Sequence, residues 1–437
     1  MFGFVIVWLG QITSVLASAM SQFGLTIWMY DQTKSALALG LMQVFFITPF
    51  LLISPLAGVW VDRHNRKLMM MVSDIAAGIA TSLIFIFMAL GWLQFWHMYF
   101  ASVIYGLGMA FQWPAYSAAI STMAPKEQLG RVNGMMSLIE AGPGVFAPIL
   151  AGALLPILGL TGILLLDVVT FLFAIGALMI VHIPQPRRTE EGQARQGGVW
   201  KEAVYGFQYI FKRPSLLGLQ LVFFAGNLFS GIAFAVFAPM ILARTNSNSL
   251  LFGSVQTAGA IGAVIGGVIM SIWSGFKKRT HGVLGGWIWS GLGLGIVGLT
   301  GGLPVWIVGT ILAALAGPLV NSSNQAIWQS KVAPDLQGRV FSARRLIAWF
   351  TNPISPLIAG ALADYLLEPA ARAGTGLPGA LAWLVGTGPG AGMGLIIVFC
   401  GIAAAAVGLA GYFIPAIREA EAALPDHDEL KPAEAAA

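Results

Sequence analysis

Long apolar runs separated by short polar turns set the pattern of this chain. Twelve of them, near 3–29, 36–61, 68–91, 96–122, 132–157, 160–183, 215–243, 250–274, 281–300, 303–329, 341–366 and 390–416, reach the length a helix needs to cross a bilayer. Apolarity is continuous within each run instead of alternating over segments of about ten residues, which argues against a membrane β-barrel. The pattern predicts an all-α polytopic membrane protein with twelve transmembrane helices. An even count puts both termini on one side. Between the sixth and seventh runs lies the longest polar segment, 185–213, in which Trp200, Val204, Phe207 and Phe211 fall at i, i+4, i+7 and i+11, the mark of an amphipathic helix lying on the membrane face. The expected organisation is therefore a first half over 1–184, a linker over 185–213, a second half over 214–417 and a disordered acidic tail over 418–437.

Composition agrees. Of 437 residues, 57% are hydrophobic and 9% charged, too little polar surface to cover a water-soluble globule. The net charge of +5 invites a nucleic-acid reading, but the bases are spread among short turns and gather on no domain. They read as topology signals: Lys34, Arg244 and Arg372 fall on one side, the other 20 of the 23 bases on the opposite side or at its border, so both termini are expected in the cytoplasm. Ala17-Ser18-Ala19 resembles a signal-peptide cleavage site, yet no basic segment precedes it and apolarity continues to Trp28, so the first run is expected to stay as a helix. The single Cys400 leaves no disulfide or thiolate metal site.

The chain also repeats itself. Gly130-Arg131-Val132 followed by Pro148-Ile149-Leu150-Ala151-Gly152-Ala153-Leu154 recurs as Gly338-Arg339-Val340 followed by Pro356-Leu357-Ile358-Ala359-Gly360-Ala361-Leu362, every pair offset by 208 residues. The fifth run is thereby placed over the eleventh, giving two parallel six-helix halves. In the turn between the second and third runs stands Gly58-Val59-Trp60-Val61-Asp62-Arg63-His64-Asn65-Arg66-Lys67, a patch of charge in a chain with little of it. The corresponding turn of the second half, Trp273 to Arg279, keeps the bases and lacks the acid.

Twelve runs in two halves with this turn resemble the major facilitator superfamily. Trp8-Leu9-Gly10-Gln11, Leu165-Leu166-Asp167-Val168, Gly266-Gly267 and Gly338-Arg339-Val340-Phe341-Ser342 are similar, more narrowly, to its macrolide-efflux and siderophore-exporter branch of drug:proton antiporters. The resemblance implies a bacterial inner-membrane secondary transporter whose halves rock about a central site, exporting a lipophilic small molecule against protons. Siderophore export and lysophospholipid transport by the same fold are the alternatives; outside transport, a non-transporting scaffold or receptor is. It also implies that Asp62, with Arg63 and Arg66, latches onto the start of the eleventh helix near Gly338 and Arg339 in one of two states. A loop salt bridge is the bland alternative. Two departures stand out. Many proton-coupled members carry an Arg where Tyr105 stands, and the antiporter motif of the fifth run survives mainly as Gly142-Pro143-Gly144 with Gly134 and Gly152.

Glu140, about two turns into the fifth run and just before Gly142-Pro143, is the residue expected to couple protons to transport, because an unpaired carboxylate there is costly and seldom idle. A static hydrogen bond is its plainer role. Asp31 is expected in solvent, Asp74 paired with the bases near Asp62, and Asp167 near the outer end of the sixth run with the weakest claim to function. Gln11, Gln43, Trp113, Asn227, Asn324, Gln325 and Trp328 are expected to line an amphipathic substrate cavity, although each polar one, taken singly, is more often helix glue worth ~0.6 kcal/mol. No Gly-x-x-x-x-Gly-Lys-Ser/Thr, His-Glu-x-x-His or Gly-x-Ser-x-Gly occurs, which argues against a nucleotide-driven pump or an intramembrane enzyme. No cofactor, metal or nucleic acid is expected. The partners are a lipophilic substrate, protons and the bilayer, and the chain is expected to be a monomer.

Overall fold

The computed structural model describes residues 2–63, 65–123, 128–181, 199–273 and 275–424. Among these there is no strand. The helices are α1 (Phe2–Thr33), α2 (Ala36–Arg63), α3 (Arg66–Ala89), α4 (His97–Met123) and α5 (Leu129–Ile180), then α6 (Val199–Phe211), α7 (Pro214–Arg244), α8 (Ser249–Trp273), α9 (Arg279–Gly298) and α10 (Leu303–Lys331). There follow α11 (Pro334–Trp349), α12 (Thr351–Ala361), a π-helical turn at Leu362–Leu367, α13 (Glu368–Ala373), the short α14 (Gly376–Ala380) and α15 (Ala382–Val385), α16 (Ala391–Phe413), α17 (Pro415–Arg418) and α18 (Ala420–Ala423).

Nine helical stretches among the described residues are long and apolar enough to cross a membrane. One of them holds two expected spans: the 52 residues of α5 are broken at Gly159, whose φ of 65° an L side chain tolerates poorly. Separating those two spans and adding α4 and α9 recovers all twelve. Outward-facing side chains such as Ile157, Ile180, Ile272 and Phe413 are more than three-quarters exposed, an inverted surface that only lipid would cover.

The chain divides into two compact units, Met1–Arg187 with Ala238–Thr257, and Arg188–Phe237 with Ala258–Ala437. In unit 1, α1 packs along α5, and α4 packs against both α2 and α3. Asn65 caps α3, its side-chain oxygen accepting from the Leu68 amide, so the charged turn closes tightly. Lys67 there donates from Nζ to the carbonyls of Met179 and Val181, both at 2.9 Å, placing a cation where the last carbonyls of α5 lack partners. The start of α8 belongs to this unit. Ser249 donates to the Gly152 carbonyl and Thr257 to that of Val145, while Phe23 stacks on Phe252. Asp31 is exposed as expected, paired with Lys34 at 2.6 Å and accepting from Ser247.

In unit 2, α9 packs between α10 and α16 along glycines. A Cβ on Gly291 would strike the Gly401 carbonyl, one on Gly293 the Ala313 backbone and one on Gly298 the Gly394 carbonyl. The core gathers Leu284, Trp287, Ile327 and Trp328. The amphipathic α6 lies against α11, with Gly206 on the Arg339 backbone and the Tyr209 hydroxyl reaching the Lys331 carbonyl. The chain after α16 is ordered further than expected. Glu421 Oε2 accepts from the backbone N and hydroxyl of Thr280, capping α9, and Lys331 Nζ donates to the carbonyls of Glu421 and Leu424. The tail expected to begin at 418 thus starts as two helical turns tied to the bundle, and residues 425–437 lie outside the described ones.

Candidate functional site

The interior of unit 1 carries polar side chains at a regular interval. On α1 they are Gln11 and Ser18, on α3 Asp74 and Thr81, on α4 Tyr105 and Gln112, each pair seven residues apart. Seven residues are nearly two helical turns, so each pair shares a face and its members stand about 10 Å apart along the axis. Because α4 runs opposite to α1 and α3, Gln112 comes level with Gln11 and Asp74, and Tyr105 with Ser18 and Thr81.

The first level closes around Asp74. Gln11 Nε2 donates to Asp74 Oδ2 at 2.8 Å, Gln112 Nε2 donates to Oδ1 at 2.7 Å, and Gln112 Nε2 also reaches Gln11 Oε1 at 2.9 Å. Gln11 is 2% exposed. The Oε1 of Gln112 and the hydroxyl of Tyr116, one turn along α4, are buried without a partner among the described residues. Both carboxylate oxygens are thus held by neutral amides, and no Lys, Arg or His is among the described partners. The bases with which Asp74 was expected to pair have side chains outside the described residues at Arg63 and Arg66, and the backbone of Arg66 lies eight residues of α3 away, about 12 Å along the axis. At the second level Asp167 of α5 is 1% exposed and accepts from the Ser18 hydroxyl at 2.7 Å and that of Thr81 at 3.3 Å. The weakest-ranked acid of the sequence is the most buried one here.

A carboxyl held by neutral donors inside a helix bundle can take up and release a proton without breaking an ion pair. Charged, it is stabilised by the amide or hydroxyl hydrogen bonds; protonated, it can donate to an amide oxygen such as Gln112 Oε1.

The remaining expected site residues scatter. Glu140 is exposed and makes no hydrogen bond to another described residue, because the buried stripe of α5 runs through Val132, Met136, Ile139, Pro143 and Ala147 and leaves it outside. Burial, the premise of its expected role, is not met. Gln11 belongs to the Asp74 cluster, buried within the unit instead of lining a cavity. Trp328 is fully buried in the core of unit 2 and donates from Nε1 to Asn324 Oδ1 at 3.0 Å, so this i, i+4 pair satisfies itself. Gln325 Oε1 accepts from Arg344 at 2.6 Å. Gln43 is exposed and Asn227 half-buried; the side chain of Trp113 lies outside the described residues. So do those of Asp62, Arg63 and Arg66. Gly338 sits in the second turn of α11, which begins four residues earlier at Pro334, so its amide is not among those the start of the helix leaves free. Arg339 stands over the Tyr205 ring of α6.

Asp74, Gln112, Ser18 and Thr81 were absent from the expected site set. Their signal is the seven-residue spacing of polar residues in three apolar runs, visible only once the runs are laid side by side.

A helix bundle with a membrane surface and hydrogen-bonded carboxyls within it fits a multi-pass membrane transporter. The Major Facilitator Superfamily model matches residues 7–241, more than half of the chain, and the chain belongs to that family. It is 26% identical over 366 residues to macrolide efflux protein A of Streptococcus pyogenes, covering 83% of this chain and 89% of that protein. It is 24% identical over 324 residues to the enterobactin exporter EntS of Citrobacter koseri, covering 70% of this chain and 69% of that one. Among solved structures, a bacterial homologue of the human lysosomal transporter Spinster, inward-facing and unoccupied, matches with a TM-score of 0.67 at 18% identity over 94% of this chain and 96% of that one, a likeness of fold.

Proposed function

We propose that this chain is a proton-driven exporter of a lipophilic small molecule in a bacterial inner membrane, both termini cytoplasmic, working by alternating access as a monomer, with Asp74 as the proton carrier. The observation that carries the reading is the Asp74 carboxyl, held by Gln11 and Gln112 within membrane-spanning helices and with no cation among its described partners. Leaving such a group charged in both states of a cycle costs free energy that a proton removes. The efflux relatives support the direction of transport, and the macrolide-efflux relative supports a bulky lipophilic cargo. Glu140 takes a different part: exposed on α5, it attracts cationic cargo and does not carry the proton.

The test is efflux from proteoliposomes loaded with a macrolide under an imposed pH gradient. Asp74→Asn loses gradient-driven efflux by at least tenfold and keeps downhill flux. Glu140→Gln keeps the gradient response and raises KM for cationic compounds. Gradient-driven efflux by Asp74→Asn equal to wild type would sink the assignment.

A second reading, export of an anionic siderophore, has one observation in its favour. Arg344 of α11 is half-buried against the Trp328 and Phe341 rings, its described polar partner is the neutral Gln325, and one guanidinium nitrogen, NH1, is buried with no partner among the described residues. An unneutralised cation there suits an acidic cargo, as export of enterobactin by the named relative would require. If a catecholate siderophore is exported and Arg344→Gln abolishes that export while no macrolide is moved, this reading replaces the first.

A further inference from the structure

We propose that Asp167 is a second proton-binding site, coupled to Asp74 within unit 1, with the neutral Tyr105 standing between the two carboxyls. The inference rests on the proton-driven reading for its purpose, and on the geometry of the second polar level for its existence.

That level is built for one small occupant. Asp167 is 1% exposed and both its oxygens face hydroxyls, Ser18 on one and Thr81 on the other. Ser21, one turn of α1 from Ser18 and 2% exposed, turns a third buried hydroxyl toward the same carboxyl. Ser21, Thr81 and Tyr105 line one small pocket beside Asp167. Among the described residues the titratable group that faces Asp167 is Tyr105 on α4, while Asp74 on α3 stands one level away, about 10 Å along the axis; α1 offers only hydroxyls, and no Lys, Arg or His is among its described partners. Tyr105 lies within electrostatic reach of both carboxyls.

Two acids that share an interior without a cation cannot both stay charged at tolerable cost. Each is neutralised by one proton, the carboxylate oxygen gaining an O–H bond as the proton leaves water, and the occupancy of one site alters the affinity of the other. The Phe171 ring, pressed on Gly78, lies at the height between the two levels, so the acids form separate sites that sense each other through space. A Tyr in place of the family's Arg has a physical consequence: a fixed guanidinium would have paired with one carboxylate and left it with no need of a proton.

The experiment is an infrared pH titration of the full-length protein in lipid membranes, reading the carbonyl stretch of protonated buried carboxyls. Wild type is expected to lose two such components in succession as pH rises. Asp167→Asn removes one component and shifts the titration midpoint of the other; Asp74→Asn does the reverse. Should Asp167→Asn fail to fold, Ser18→Ala keeps both components and shifts only the midpoint of the Asp167 one. Tyr105→Arg removes one component from the titration. An unchanged band pattern in Asp167→Asn overturns the proposal, and so does loss of the Asp167 component on adding sodium at constant pH, which would make the occupant a metal cation. Because this readout needs no transport, it separates two failures. Efflux that ignores the pH gradient while Asp167 titrates ends the proton-driven reading alone, and gradient-driven efflux with a silent Asp167 ends this inference alone.

Discussion

Both units bring helices together along glycines, and they differ in how they hold their buried acids. In unit 2 glycines along α9 bring the backbones of α10 and α16 into contact, and the buried acid Glu368, at the start of α13, accepts from the backbone amides of Gly390 and Met393. Unit 1 has such approaches too, Gly106 on the Phe46 carbonyl and Gly253 on that of Pro148, but it surrounds two carboxyls with side-chain amides and hydroxyls, and Gly134 and Gly142 of α5 face open space. Small-residue seams give rigid contact between helices in lipid, whereas a buried acid is a liability unless it has work to do. Side-chain amides and hydroxyls hold the acids of unit 1, where backbone amides hold Glu368 of unit 2, although the sequence repeat relates the two.

Breaking the seam should have the largest effect on stability. Gly291→Val drives a side chain into the Gly401 carbonyl and is expected to destabilise the protein by about 1–3 kcal/mol, seen as a lower unfolding midpoint in detergent. Gly142→Ala in unit 1, with nothing near its Cβ, should leave the midpoint level or raise it slightly. Equal losses at both positions would erase the distinction between a packed and an open glycine. Next comes Gln112→Leu, which takes one of the two amide donors from Asp74. A loss of about 1–3 kcal/mol is expected where the carboxyl is charged, and little at acid pH where it is protonated, so the thermal shift should itself depend on pH. A pH-independent shift would make the cluster ordinary glue. The smallest effect belongs to Lys67→Met, which removes a cation from the end of α5 at a cost of about 0.3–1 kcal/mol, read as faster hydrogen exchange over 177–181.

Much of the framework was legible in the sequence because it is written in local periodicity. The apolar runs, the amphipathic helix after Trp200 and the break between the fifth and sixth spans all follow from composition over a few turns. The site was not legible in the same way. Asp74 draws its partners from 63 residues before and 38 residues after, so its neighbours depend on which helices touch. Proximity in sequence suggested the bases of the charged turn instead. The exposure of Glu140 is a matter of rotation alone: Ile139 beside it is buried, and one residue along a helix turns the side chain through about 100° to the open side. Asn324 and Trp328 satisfy each other, a pairing that their i, i+4 spacing already allowed.

The knot formed by Glu421, Thr280 and Lys331 bears on how the protein is handled at the bench. An affinity handle or fluorescent reporter fused beyond Leu424 leaves all three groups in place, whereas a truncation at Arg418 strips the cap from α9 and abandons the ammonium of Lys331 without its two carbonyls. Trimming the carboxy-terminal segment to aid crystallisation would therefore loosen the helix on which the glycine seam depends.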